Sequence, residues 1–241
     1  MIFWIASFPR SGNTFYRILF NRIYNKSTYS IYNAKLNEEE LGKLPKNNLL
    51  SEGCWQGRSL ESLAKDQKEY FVKTHEMAGN DDFPAIYLVR DGRDALVSYS
   101  HFIIEFENPD RNTHSYEDLF YNNLLNLIKC DDSFGGWGEN VKSWINRSSK
   151  TAIIRFEDLI TDPTNIIQNS LKELGFEKEF KIRNTLPTFE ELQNDFPKSF
   201  RKGKINTWKS EMPEDLQKLF WEKYGSIMEK IGYTKTYSLS N

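Results

Sequence analysis

Cysteine is scarce: Cys54 and Cys130 are the only two in 241 residues. Two thiols make no disulfide framework and fit no metal-ligand spacing, which excludes a cross-linked scaffold and suits a reducing compartment. Long apolar runs are missing as well. The opening apolar residues give way at Pro9 and Arg10, and nothing approaches the roughly 20 residues needed to span a bilayer. Neither sign of charge dominates, with 32 Lys and Arg against 34 Asp and Glu and a net charge of −2. A general attraction to nucleic acid or acidic membranes is thereby excluded, and an anion site must be a local gathering of Lys and Arg. There is no internal repeat or low-complexity segment, and the run Glu38, Glu39, Glu40 reads as a solvated helix face. The expectation is a cytoplasmic protein with no membrane insertion and no nucleic acid partner. Its 39% hydrophobic residues suffice to bury one α/β core, in a single domain over residues 1–241.

What the chain does have is concentrated first in Phe3 to Phe15, Phe-Trp-Ile-Ala-Ser-Phe-Pro-Arg-Ser-Gly-Asn-Thr-Phe. A short apolar run of strand formers ends at Pro9 and Gly12, and helical spacing begins at Phe15, Ile18, Leu19 and Ile23. A polar loop at the mouth of a helix favours an anion, because exposed N–H groups and the helix dipole point at it. Arg10, Ser11, Asn13 and Thr14 add side-chain donors, so phosphate or sulfate is the expected ligand. The loop holds one glycine and no lysine, and is not the nucleoside triphosphate loop Gly-x-x-x-x-Gly-Lys-Ser/Thr.

Further along, residues 25–66 are polar and turn-rich, an excursion over the site. Tyr70, Phe71 and Val72 form a brief strand leading into Lys73, Thr74 and His75. Ala85 to Val89 is a continuous apolar run, as in a fully buried parallel strand, and ends at Arg90. Helices are expected around Ala95 to Phe102, from Tyr116 to Ile128 and around Trp137 to Ile145, with loop over 105–114. Thr151 to Phe156 is the next strand. Asp162 and Pro163 open a helix stopped by Gly175, Thr188 and Glu191 have capping-box spacing, and Pro213 starts the last helix. Pro197 to Ser210 reads as a basic, glycine-bearing loop. Strands alternating with helices imply a mainly parallel sheet covered on both faces, with ligands at the carboxyl ends of its strands. Arg10, the pair Lys73 and His75, and Arg90 all follow strand ends.

These segments resemble the soluble sulfotransferase family that uses 3′-phosphoadenosine 5′-phosphosulfate (PAPS). The opening loop is similar to the family's Tyr-Pro-Lys-Ser-Gly-Thr-Thr-Trp, and Lys73-Thr74-His75 to its Lys-Thr-His. Leu88 to Phe102 is similar to its Arg-x-x-x-Asp-x-x-x-Ser-x-x-x-Phe segment. Arg201-Lys202-Gly203 with Trp208-Lys209 resembles its Arg-Lys-Gly-x-x-Gly-Asp-Trp-Lys. The resemblance implies a P-loop-NTPase-like αβα sandwich that binds PAPS as donor and adenosine 3′,5′-bisphosphate (PAP) as product, with no metal. By the same resemblance Arg10, Ser11, Gly12, Asn13 and Thr14 hold the donor's phosphosulfate end. Arg90, Ser98, Arg201, Lys202 and Gly203 hold the 3′-phosphate, and Phe15, Phe156 and Phe189 lie against adenine. His75 is the implied general base, assisted by Arg10 and Lys73.

Five cations, Arg10, Lys73, Arg90, Arg201 and Lys202, suit a ligand with several anionic groups. A neutral imidazole accepts a proton as the acceptor attacks sulfur. The chain departs from the family where Arg10 replaces lysine and Asn206-Thr207 replaces Gly-Asp. Arginine neutralises charge but donates no proton. Trp208 either packs over the nucleotide or anchors its loop, and His101 is structural. The acceptor, a small molecule, glycan or lipid, is not specified by the sequence; Trp55, Phe102, Phe106 and Tyr116 are candidates for an apolar acceptor wall. Without the family's dimer motif, Lys-x-x-x-Thr-Val, the oligomeric state stays open. Two rival readings are a nucleotide kinase, which lacks the Gly-Lys-Ser/Thr loop end, and a non-catalytic PAP-binding protein, which an intact His75 opposes.

Overall fold

A computed structural model describes residues 1–32, 60–107, 114–129, 132–176, 186–196, 200 and 203–235. Among the described residues five parallel strands form one sheet: β1 (Ile2–Ser7), β2 (Tyr29–Ser30), β3 (Tyr70–Thr74), β4 (Ala85–Val89) and β5 (Thr151–Arg155), in the order β2-β3-β1-β4-β5. The helices are α1 (Asn13–Tyr24), α2 (Leu60–Ala64), α3 (Gly92–Phe102), α4 (Tyr116–Lys129), α5 (Trp137–Ile145), α6 (Phe156–Thr161), α7 (Pro163–Glu173), α8 (Phe189–Asp195), α9 (Trp208–Glu211) and α10 (Glu214–Lys230).

Alternation along each strand divides the core. Ile2, Trp4 and Ala6 of β1, with Ala85, Tyr87 and Val89 of β4, face α3, α4, α5 and α10. Phe3 and Ile5, with Ile86 and Leu88, face α1, α6 and α7. Both faces of the central strands are apolar, which is why these segments read as unbroken hydrophobic runs. The result is a three-layer α/β fold with the sheet in the middle. No described helix is long and apolar enough to cross a membrane.

Local chemistry sets the helix starts. Asp91 caps α3 by accepting the Arg93 N–H, and Asp162 caps α7 with Pro163 in its first turn. Thr188 and Glu191 form a full capping box on α8. Several expectations need correction. The segment 105–107 belongs to a π-helical turn, Ile103–Glu107, that continues α3 rather than to a loop. Trp208 to Ser210 are helical in α9, and β2, α2 and α6 had no periodic signal long enough to reveal them. Cys54, Trp55, Cys130, Arg201 and Lys202 lie outside the described residues, as does the side chain of Phe189.

The start of α3 is fixed by a close approach. A Cβ on Gly92 would lie 2.6 Å from Phe220 Cζ and 2.7 Å from Trp137 Cε2, and both rings are fully buried. Gly92→Ala is expected to lower stability by about 1–3 kcal/mol through overpacking. The check is a lower urea midpoint with an unchanged denaturant slope.

Candidate active site

Register brings the candidate groups to one rim. Ala6 pairs with Thr74 and Ser7 with Leu88, so β1, β3 and β4 end at the same level. The chain leaves β1 towards β3 and later crosses to β4, which makes the end of β1 the switch point where α/β sheets bind ligands. A cavity of about 350 Å³ opens there. Arg10, Gly12, Asn13, Thr14, Phe15, Lys73, His75, Arg90, Ser98, Phe156 and Gly203 all line it. Among its described lining residues are four cationic side chains, Arg10, Lys73, Arg90 and Lys204, and no carboxylate.

The loop after β1 turns through two left-handed residues, Arg10 (φ 64°) and Gly12 (φ 95°). At Gly12 a Cβ would meet Phe156 Cδ2 at 2.6 Å, so the loop lies directly on the Phe156 ring. The first intrahelical bond of α1 runs from Tyr16 N–H to the Gly12 carbonyl, and the earlier N–H groups at the helix start have no intrahelical acceptor. Two side chains differ from expectation. The Asn13 amide donates to the Ile5 carbonyl (3.0 Å) and to Ser7 Oγ (3.3 Å), so its side-chain N–H groups brace the loop against β1 while the residue still lines the cavity. Ser11 is buried beneath the loop with its Oγ unpartnered, and is not among the lining residues. Arg10 Nε donates to Ser98 Oγ (3.3 Å), and its guanidinium lies 5.0 Å from the centre of the Phe102 ring.

Arg90 is nearly buried, and its hydrogen bonds go to neutral carbonyls while the carboxylates of Asp94, Glu157 and Asp91 act on it through space. Its Nη1 donates to the Arg10 carbonyl (3.2 Å) and its Nη2 to the Lys204 carbonyl (3.0 Å), while Nε is buried with no partner. Asp94 is 3.9 Å away, and Asp91 is held bidentately by Arg93. Burial lowers the Arg90 pKa, with Asp94 opposing. The guanidinium stands 4.7 Å over the Phe156 ring, which also meets Phe15 edge-on. Such a cation, donating to neutral carbonyls and keeping one N–H idle, is ready for an anion.

His75 is tied down at three points. Its N–H donates to Tyr32 Oη (2.7 Å), and its carbonyl accepts from Asn140 Nδ2 (2.8 Å). Its Nδ1 lies 2.8 Å from the Ser7 carbonyl; a carbonyl only accepts, so Nδ1 carries the proton and Nε2 is left to accept one. Burial lowers the His75 pKa to about 3, with the nearby cations Lys73, Arg17 and Arg10 adding to the shift. At neutral pH the imidazole is uncharged. Lys73 is pushed down to about 7, first by burial and then by Arg17 and Arg10.

Sequence reasoning missed Tyr99, Phe134, Ile160, Phe200, Lys204 and Thr207, which also line the cavity. Phe200 meets Phe15 edge-on and adjoins the Arg201-Lys202-Gly203 motif, a signal that was present. Phe134, edge-on to His75, precedes Gly135 and Gly136 in a turn with no periodic pattern, and Asn140 looked like an ordinary helix residue. Trp208 is fully buried with Arg93 stacked 3.7 Å over its ring, so it anchors its loop. His101 bridges Tyr116 and Glu211 away from the cavity. Phe102 is a lining residue; Phe106 and Tyr116 are not.

The sequence profile of the sulfotransferase domain family matches residues 2–232, and the chain belongs to that family. It is a transferase of the PAPS-dependent sulfotransferase kind. Sulfotransferase 1 family member D1 of Rattus norvegicus is 24% identical over 255 residues, covering 94% of this chain and 83% of that protein. Mouse sulfotransferase SULT7A1, solved in complex with PAP, superimposes with a TM-score of 0.64 at 20% identity, covering 94% of this chain and 83% of that one. Retinol dehydratase, solved with androsterone and PAP, gives 0.59 at 19% identity, covering 100% and 82%.

Lys73 yields a stability test. Its folded pKa of about 7 lies below the ordinary lysine value of 10.5, so the unfolded chain binds more protons between those pH values. Stability is therefore lost as pH falls from 10.5 towards 7 and changes no further on this account below 7. Lys73→Met should gain on the wild type across that window, by on the order of 1–3 kcal/mol by pH 7. Urea midpoints of both proteins at pH 7 and pH 9.5 measure it.

Proposed function

We propose that this chain, working as one domain, transfers a sulfuryl group from PAPS to a hydroxyl or amine of a small-molecule, glycan or lipid acceptor. The observation that carries the reading is the cavity at the strand ends, with its four lining cations, no described carboxylate and the idle Nε of Arg90. Those donors suit a ligand with separated anionic groups. Its volume is in the range of nucleotide-sized ligands. PAPS supplies an activated sulfuryl group on a phosphate leaving group. Arg90 and Ser98, with Gly203 and with Arg201 and Lys202 beyond the described residues, take the 3′-phosphate. The N–H groups at the start of α1, with Arg10, Thr14 and the segment of Ser11, Gly12 and Asn13, take the other end. Phe15, Phe156 and Phe189 flank the adenine.

His75 accepts the acceptor's proton at Nε2 as the acceptor's oxygen or nitrogen bonds to sulfur and the bond from sulfur to the 5′-phosphate oxygen breaks. Anions in the cavity raise the His75 pKa from its value of about 3, so the base strengthens when the donor is bound. Arg10 and Lys73 neutralise charge gathering on the departing phosphate. Arginine does this without giving up a proton, which makes Arg10 an electrostatic group. Phe134, edge-on to His75, and Phe102, another lining residue, support an acceptor with an apolar face next to its reacting group.

Calorimetric titration without metal should show PAP binding at least tenfold more tightly than adenosine 5′-monophosphate or ATP, with the advantage lost in Arg90→Ala. Equal or tighter binding of ATP would mean a kinase-like site and sink the reading. His75→Asn should keep PAP affinity within about threefold while turnover falls by about 10²-fold or more. Formation of PAP with a panel of phenols, alcohols and amines is the assay; undiminished turnover would remove His75 from the chemistry.

A further inference from the structure

Asp94 is 1% exposed, four residues beyond Arg90, and its carboxylate is directed at the loop that precedes α9. It accepts the Asn206 N–H at 2.7 Å, the Thr207 Oγ1–H at 2.9 Å and the Trp208 N–H at 2.9 Å. Arg90 Nη2 donates to the Lys204 carbonyl of the same loop. Gly203, Lys204 and Thr207 line the cavity, and Trp208 beneath them is stacked on Arg93. The geometry is specific to these residues. Asn206 is left-handed (φ 61°), a conformation asparagine tolerates, and Thr207 supplies a hydroxyl donor where the resembled family has aspartate. A carboxylate at 207 would oppose Asp94; a threonine bonds to it.

We infer that Asp94 and Thr207 form a latch that holds the 203–208 loop against Arg90, and so position the 3′-phosphate end of the donor site. The inference rests on the donor reading above. The latch acts at one end of the cavity only. The loop from Arg10 to Phe15 has support of its own, the Asn13 bonds to Ile5 and Ser7, besides the bond from Arg90 to the Arg10 carbonyl. Loss of the latch therefore costs affinity for a ligand bearing a 3′-phosphate and spares one bearing only a 5′-phosphate.

Charge and position pull in opposite directions, which gives the test its edge. If Asp94 acted only through its charge, removing a carboxylate 3.9 Å from Arg90 would tighten anion binding. As a latch it does the reverse, because an asparagine amide keeps one acceptor oxygen and turns an N–H₂ towards donors. Thr207→Val changes no charge and leaves the Trp208 N–H on Asp94, so it reports on the latch even if Asp94→Asn folds poorly.

The experiment is titration calorimetry of the full chain and both variants with PAP and with adenosine 5′-monophosphate. The expected result is a PAP dissociation constant raised about fivefold in Thr207→Val and tenfold or more in Asp94→Asn, with monophosphate affinity within about twofold of wild type. PAP affinity that is unchanged or improved in Thr207→Val overturns the latch. Equal losses for both nucleotides also overturn it, since they mark a general loss of structure. A wild type with no preference for PAP over the monophosphate overturns the donor reading itself, and the latch with it.

Discussion

Positive charge gathered at a cavity whose described lining holds no carboxylate is the constraint on which this structure turns. Arg10 and Arg90 follow β1 and β4, Lys73 lies near the end of β3 on the other side of β1, and all three share one cavity with Lys204. Arg17, buried on α1, adds a further cation near them and is itself lowered to about 10 by burial. Desolvating like charges together is costly, and the protein offsets it without filling the site with acids. Lys73 gives up much of its charge at neutral pH. Arg10 and Arg90 lie over the rings of Phe102 and Phe156, and Arg90 leans on two backbone carbonyls. Each of these contacts is weak and brings no opposite charge.

The rest of the fold holds those groups still. Asn140, at the heart of α5, accepts from Tyr87 Oη and donates to the His75 carbonyl, so the sheet and one helix together fix the turn that carries the imidazole. Trp144 Nε1 donates to the Glu76 carbonyl one residue further on. On the opposite side Asp91 pairs with Arg93, which stacks on Trp208 and donates to the Thr234 carbonyl. The four charged residues of Arg90-Asp91-Gly92-Arg93-Asp94 thus divide their work. Only Arg90 lines the cavity, and the other three orient helix start, C-terminal segment and late loop.

Much of this was legible beforehand. The strands carry unbroken apolar runs because both faces of the sheet are covered, and Pro9, Gly12, Asp162, Pro163 and the Thr188 to Glu191 box mark turns and helix starts for local reasons that tertiary contacts do not override. The convergence of Arg10, His75 and Arg90 followed from strand ends in a parallel sheet, a rule of topology. Side-chain direction was not legible in the same way. Asn13 looked like a ligand donor but spends its amide on β1, and Ser11 is buried under the loop, because what a short polar side chain bonds depends on the strand it packs against. Phe134 and Asn140 meet His75 only through contacts some 60 residues distant in sequence, which no local pattern encodes.

The two phenylalanines assigned to the acceptor in the proposed reading come from less regular segments. Phe102 precedes a π-helical turn, where an extra residue shifts the face that α3 presents, and Phe134 sits in a glycine turn. The central claim, however, concerns the rim of cations, and a crystal structure of the protein grown with PAP tests it most directly. The account predicts a phosphate within hydrogen-bond distance of Arg90 Nε and Ser98 Oγ, the second phosphate at the N-terminus of α1, and the adenine between Phe15 and Phe156. PAP bound elsewhere, or bound here with its 3′-phosphate turned away from Arg90, would contradict it.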